Sequence, residues 1–468
     1  LVSWSMFTQK FRADSPGPAA AGPTMNFATH FKRTARLAGP MIVARAGILI
    51  MVAVDTAMVG HYGTLNLAFY AAANAVQVVM VLVMVGLLQG TMVLVAQAHG
   101  AGAERECGGY WRVGLIHGAV LGLIMAGICF LGEIVLTAIG QTAELAAGAG
   151  GVLRMISWGL PALAMWVATS FFLDGLSRPL PSMILTLIAI LANAGLNMIF
   201  IYGAFGIPEM GAEGAALATS ITRWAMFAIL VAYVLNLRDR EALGIRGAIQ
   251  NLRQTALKLR RIGIPIGAAR GLEAAAFSAL TMLAGLLGTV PLASYQIAFN
   301  LVALVFMCAI GVAGAGTIRV GNAVGRHNSA DIRHAGWAAF LTIFIIMSIV
   351  ACVYLSLGTS LARIYSDDPA VVLIAAPLIF IAGLVLIFDG GQAVLMGALR
   401  GMADVWLPPL MQFISWWGVA VPVGYVLAFH AEMGTSGLMW GFLAGALVSC
   451  FSLALRFSLV SRRAIRRF

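Results

Sequence analysis

Apolar residues run in long, nearly unbroken stretches along this chain, separated by short clusters of Gly, Pro and charged residues. The stretches are continuous rather than alternating, which excludes a transmembrane β-barrel. Each spans about 20 residues, enough for a helix to cross a hydrocarbon core of about 30 Å. Twelve spans are expected, near 37–60, 67–97, 110–132, 150–173, 181–203, 211–236, 262–288, 291–317, 335–357, 371–399, 406–429 and 434–460. The second is long for one crossing and implies tilt or projection beyond the bilayer. No polar stretch is long enough to hold a soluble domain.

Composition agrees: 61% of residues are hydrophobic and 10% charged, against roughly 25% charged in ordinary soluble domains. The net charge of +11 invites a nucleic-acid reading, but the basic residues lie in short loops between spans. They orient the chain instead, because positive loops stay on the cytoplasmic side. With both termini cytoplasmic, the N-terminal segment, the loop "NLRDREALGIRGAIQNLRQTALKLRR" and the C-terminus all fall on one side. Arg105, Arg112, Arg178, Arg319, Arg326, Arg333 and Arg400 join them, leaving Arg154 and Arg363 opposite. This asymmetry predicts a multi-pass membrane protein with both termini cytoplasmic and no nucleic-acid partner.

The five cysteines are scattered, and neither they nor the seven histidines show metal-ligand spacing. A metal enzyme is not expected, nor any cofactor. An intramembrane enzyme is disfavoured too, as no embedded Ser/His, HExxH or GxGD motif supports one.

The chain repeats itself. Shifted by 225 positions, residues 40–100 align without gaps on 265–325, matching Pro40 with Pro265, Arg45 with Arg270, Tyr70 with Tyr295, Gly86 with Gly311 and Gly100 with Gly325. Further on, Gly175 and Arg178 match Gly397 and Arg400, and Gly211 and Gly214 match Gly434 and Gly437. The fold class is therefore an all-α membrane protein of two six-helix lobes related by a parallel internal repeat. Residues 1–30 are expected to be a disordered leader or a non-native start, 31–236 the N-terminal lobe and 237–261 a basic linker. Residues 262–461 form the C-terminal lobe and 462–468 a basic tail. An even number of spans per copy puts the symmetry axis along the membrane normal, as in transporters built of parallel repeats.

Charges inside the spans are costly, about 2.5–3.5 kcal/mol each on insertion scales, and mark ion or substrate pathways. Arg45 and Arg270 are repeat mates, which favours a shared structural role. Arg270 lies one turn from Glu273, within pairing reach. Three carboxylates have no acidic mate: Asp55 would align with Leu280, Glu273 with Ile48, and Asp389 stands alone in span ten. Glu273 and Asp389 lie at a similar depth, about 16 Å from the basic end at 1.5 Å per residue, and are expected to meet. Such groups suit exchange of a proton or binding of Na⁺. Asn193 and Asn197 share one face of span five, and Gln296 and Asn300 one face of span eight; inter-helix hydrogen bonding is the alternative use of such amides. Arg223 has no partner legible in the sequence.

The segments "VDTAMVGHYGTLNLA", "LVAQAHGAG", "NAGLNMIFIYG" with "GAEGAALATS", "LASYQIAFN", "TIRVGNAVGRH" and "FDGGQAVLMGALRGMADVWLPP", in this order, resemble the multidrug and toxic compound extrusion (MATE) family in its NorM-like bacterial branch. The resemblance covers about residues 30–460. It implies a polyspecific exporter of cationic or amphipathic drugs, driven by H⁺ or Na⁺ antiport and needing no partner protein, hence a monomer. By position it makes Glu273 and Asp389 the acidic pair of the C-terminal lobe and Asp55 the acid of the N-terminal lobe, with Asn193 and Thr219 as its polar partners. Gln296, Asn300 and Arg270 are candidates to line the substrate cavity. Where many relatives carry an aspartate, this chain has Asn197, which weakens a tight Na⁺ site and leaves proton use or a looser cation site open. A lipid-linked precursor flippase of the same superfamily is the alternative, but it calls for a more cationic cavity than Arg45, Arg223 and Arg270 provide.

Overall fold

The computed structural model describes residues 26–247 and 251–462. Their regular elements are helical, as expected where lipid offers backbone groups no partner beyond their own helix. The N-lobe comprises α1 Phe27–Tyr62, α2 Thr64–Gly100, α3 Glu104–Phe130, α4 Gly132–Ala138, α5 Ala143–Ser157, α6 Leu160–Gly175, α7 Leu180–Phe200 and α8 Gly211–Leu235. The C-lobe comprises α9 Leu252–Leu286, α10 Thr289–Gly325, α11 Ser329–Tyr365, α12 Pro369–Gly401, α13 Leu407–His430 and α14 Gly434–Val460.

Ten of these helices are long and apolar enough to cross a membrane, and the bent pair α5 and α6, angled by 47°, makes an eleventh span. The twelfth expected crossing lies in α9, whose Arg270, Glu273 and small residues dilute its hydropathy. Pro40 in α1 and its mate Pro265 in α9 both sit inside helices, where each removes one backbone hydrogen bond. In α13 the ladder widens to π-helix over Ile414–Ala420 and Val426–His430, on either side of Pro422, a distortion common near functional sites.

Two boundaries differ from the sequence reading. Helix α1 begins at Phe27, inside the expected leader, because tertiary contacts hold its first turn. His30 is fully buried, and Arg319 donates to its Nδ1 at 2.8 Å while its Nε2 faces Asp331 at 3.4 Å. Residues 1–25 lie outside the described residues. The expected linker 237–261 is shorter, since α9 already starts at Leu252. Its first part is pinned to the N-lobe: Asp239 pairs with Arg178 at 2.6 Å, and the Leu243 carbonyl accepts from the Gly108 N–H at 2.8 Å. Of the basic tail 462–468, only Arg462 is among the described residues.

The lobes meet along α1 against α10 and α2 against α9. These two seams are images of each other under the 225-residue shift. A Cβ placed on Gly86 would lie 2.7 Å from the Gly267 Cα, and one on Gly311 would lie 2.9 Å from the Ile42 Cα. Nearer the basic end the symmetry continues in hydrogen bonds. Gln97 donates to the Gly401 carbonyl at 3.0 Å, and its mate Asn322 donates to the Ser177 hydroxyl at 3.3 Å. Arg400 also reaches Gln89 across the seam at 3.3 Å. With the His30–Asp331 contact, these bonds seal the lobes at the basic end.

Candidate functional site

Asp55 is 1% exposed and is held by three helices besides its own. Asn197 of α7 donates to its Oδ1 at 2.6 Å. Thr219 of α8 donates to its Oδ2 at 2.9 Å, and Tyr70 of α2 donates to the same oxygen at 3.3 Å. Asn193 extends the network, donating to the Thr219 hydroxyl at 3.4 Å and accepting from Asn197 at 3.5 Å. The i,i+4 spacing of the two asparagines and the buried stripe of Tyr70, Ala73 and Gln77 on α2 aim these groups at one point. All four N-lobe residues read from the sequence therefore come together. Tyr70 was visible only as a repeat identity. Its mate Tyr295 is fully buried with an unpartnered hydroxyl, because Leu280 stands where Asp55 would be.

In the C-lobe, Glu273 and Asp389 meet through amides. Arg270 donates to Glu273 Oε2 at 2.8 Å, and Gln412 of α13 donates to Glu273 Oε1 at 3.0 Å. Gln392, one turn beyond Asp389 on α12, donates to Asp389 Oδ1 at 3.1 Å. The circuit closes where Gln392 accepts from Gln412 at 3.3 Å and from Ser449 of α14 at 3.2 Å. Glu273 is thus an ion-paired carboxylate, whereas Asp389 has no ion pair among the described residues and rests on one amide. Gln392 was legible as an i,i+3 neighbour of Asp389; Gln412 and Ser449 were not, as they arrive from other helices. The Asn300 amide folds back on the Gln296 carbonyl at 3.0 Å, and no hydrogen bond joins either residue to the carboxylates among the described residues.

Two further points depart from the sequence reading. Arg45 does not repeat the Arg270 arrangement: it pairs across helices with Asp174 of α6 at 3.7 Å and lies 5.3 Å from the Phe171 ring centre. Asp174 fell just past the expected end of span four, but α6 continues to Gly175 and buries it. The pair lines a small recess together with Met41, Trp166, Ser170 and Ser182. Removing the carboxylate as Asp174→Ala strands a guanidinium with little solvent. The expected cost is about 3 kcal/mol, seen as a lower thermal midpoint, and Arg45→Met in the same chain is expected to recover much of it. Arg223 also gains a partner: the Gln77 carbonyl oxygen, in the amide orientation that satisfies both groups, accepts from it at 2.7 and 3.2 Å.

Twelve membrane-crossing units in two symmetric lobes, sealed at one end and carrying buried acidic networks in each lobe, define the class of a two-lobed membrane transporter. The chain belongs to the MatE family, whose model matches residues 40–199 and 265–426, and its role is transport rather than catalysis. A "Probable multidrug resistance protein NorM" of Caulobacter vibrioides is 34% identical over 94% of this chain and 93% of its own length. Another of the same name from Bradyrhizobium diazoefficiens is 34% identical over 96% of this chain and 97% of its own. Among solved folds, the eukaryotic MATE transporter AtDTX14 superposes with a TM-score of 0.84 at 22% identity, covering 94% of this chain and 98% of that one.

Proposed function

We propose that this protein is a multidrug efflux antiporter that exports cationic or amphipathic organic compounds in exchange for H⁺ or Na⁺. It is the reading favoured by the names of its relatives, and the observation that carries it is the pair of buried acidic networks, one per lobe. A cation that neutralises Asp389 and its neighbour Glu273, or Asp55, changes the charge buried in that lobe. Its differential affinity for the two lobe arrangements then biases which side the central cleft faces. With the basic end cytoplasmic, as its charge excess favours, the seam at His30, Gln97, Asn322 and Arg400 closes the lobes on the cytoplasmic side, the closure an outward-facing state in a bacterial inner membrane requires. Each chain holds both lobes, so a monomer suffices.

The test is efflux of a fluorescent organic cation from proteoliposomes under an imposed Na⁺ gradient and, separately, a pH gradient. Dye movement driven by at least one gradient is expected, and collapse of that gradient with an ionophore should stop it. Dye movement indifferent to both gradients would remove the antiport reading. The embedded arginines Arg45 and Arg270 are each engaged by a carboxylate, which disfavours an anionic lipid-pyrophosphate cargo.

A further inference from the structure

Arg223 is an embedded cation that the antiport scheme does not use, and its surroundings give it a task. It lies one turn beyond Thr219 on α8, and Gln77 lies two turns beyond Tyr70 on α2. Thr219 and Tyr70 both donate to Asp55, and Gln77 accepts from Arg223. The guanidinium is therefore held one to two helical turns along from the groups that donate to the carboxylate. The charged or titratable groups around Asp55 are Tyr70 from α2 and Arg223 from α8, with Cys129 of α3 beside the guanidinium.

The oxygen donors for a hard cation are otherwise at hand. Asp55, Asn193 and Thr219 offer oxygens, and Asn197 Oδ1 is buried without a hydrogen-bond donor. Several oxygens on side chains of different helices are what such a cation requires. A fixed positive charge near enough to act electrostatically on Asp55 opposes it, the more so where water is scarce. The guanidinium opposes any added positive charge, a proton included, but a proton bonds covalently to one carboxylate oxygen and needs no other ligand, whereas a metal cation must hold several oxygens at once to stay bound.

We propose that Arg223 is the built-in counter-ion of Asp55 and the residue that bars a metal cation from the N-lobe site, leaving the proton as the ion that neutralises Asp55. The proposal deepens the antiport reading by naming the ion for one of its two networks, and rests on that reading only for its consequence in transport.

The test reads binding rather than transport. In a Glu273→Gln/Asp389→Asn background, which silences the C-lobe network, thermal unfolding of the purified full chain is compared in NaCl and choline chloride of equal ionic strength. No sodium shift is expected with Arg223 present, nor with Arg223→Lys. Arg223→Gln is expected to raise the midpoint in NaCl by about 3 °C or more, and adding Asp55→Asn should abolish that rise. If Arg223→Gln does not fold, Gln77→Glu provides the same readout by drawing the guanidinium charge away from Asp55. An Asp55-dependent sodium shift with Arg223 intact overturns the proposal, as does a folded Arg223→Gln or Gln77→Glu that gains none. Dye efflux unaffected by Asp55→Asn would instead count against the antiport reading, and the sodium shifts would still decide the role of Arg223.

Discussion

Asp389→Asn is expected to lower gradient-driven dye efflux to about a tenth of the parent rate or less, a barrier change of at least about 1.4 kcal/mol, while the protein still folds. The reason lies in the contrast between the two C-lobe acids. Glu273 is held by Arg270 at 2.8 Å and by Gln412 at 3.0 Å. Asp389 accepts a single hydrogen bond among the described residues, from Gln392 at 3.1 Å, so its charge is the less compensated of the two. An amide at 389 fits the same space and removes the charge on which a coupling cation acts. Glu273→Gln is expected to slow transport as well, but it also frees Arg270 inside the lobe and should lower the thermal midpoint. Initial rates in proteoliposomes, with dye binding measured by fluorescence polarisation, separate the two effects. Parent-like efflux in Asp389→Asn would place the coupling elsewhere.

The second large effect is expected at the seam. Gly86→Val and Gly311→Val each put a side chain where backbone atoms of the other lobe lie within 3 Å of the first carbon. Neither Gly267 nor Ile42 can yield its own backbone, so the helices must part. Overpacking of this kind costs about 1–3 kcal/mol, which shifts a two-state closure by roughly 5–150-fold. Distances between spin labels on the two lobes at the basic end should change from one short population to a mixture with a longer one. Gly109→Val is the control, since a Cβ there meets no atom within 4 Å. Unchanged distances in both seam variants would mean that the glycines do not set the closed state.

Much of the fold was legible because a bilayer constrains the chain locally. A backbone in hydrocarbon must satisfy itself, so each long apolar run had to be a helix, and the count of runs, their charge asymmetry and the 225-residue repeat followed from the linear order alone. The site was legible in part for the same reason. A charge in such a run is conspicuous, which exposed Asp55, Glu273 and Asp389, and helical spacing exposed Asn193 with Asn197 and Arg270 with Glu273. Asp174 was hidden by an error of two residues in a helix end.

Sequence by itself determined that this is a twelve-span, two-lobed membrane protein with three asymmetric buried acids, because hydropathy, charge bias and repetition are properties of the string. Tertiary structure alone decided which further neutral groups answer those acids, Tyr70 at Asp55 and Gln412 and Ser449 in the C-lobe circuit, and that Gln77 answers Arg223. It also decided that Arg45 and Arg270, identical in the repeat, take carboxylates from different helices. These pairings depend on how each helix is rotated and how closely its neighbours approach, and small residues such as Gly86 and Gly311 set that approach across the seam. Rotation and approach are fixed by packing between distant segments, for which the apolar pattern of any one span carries no signal.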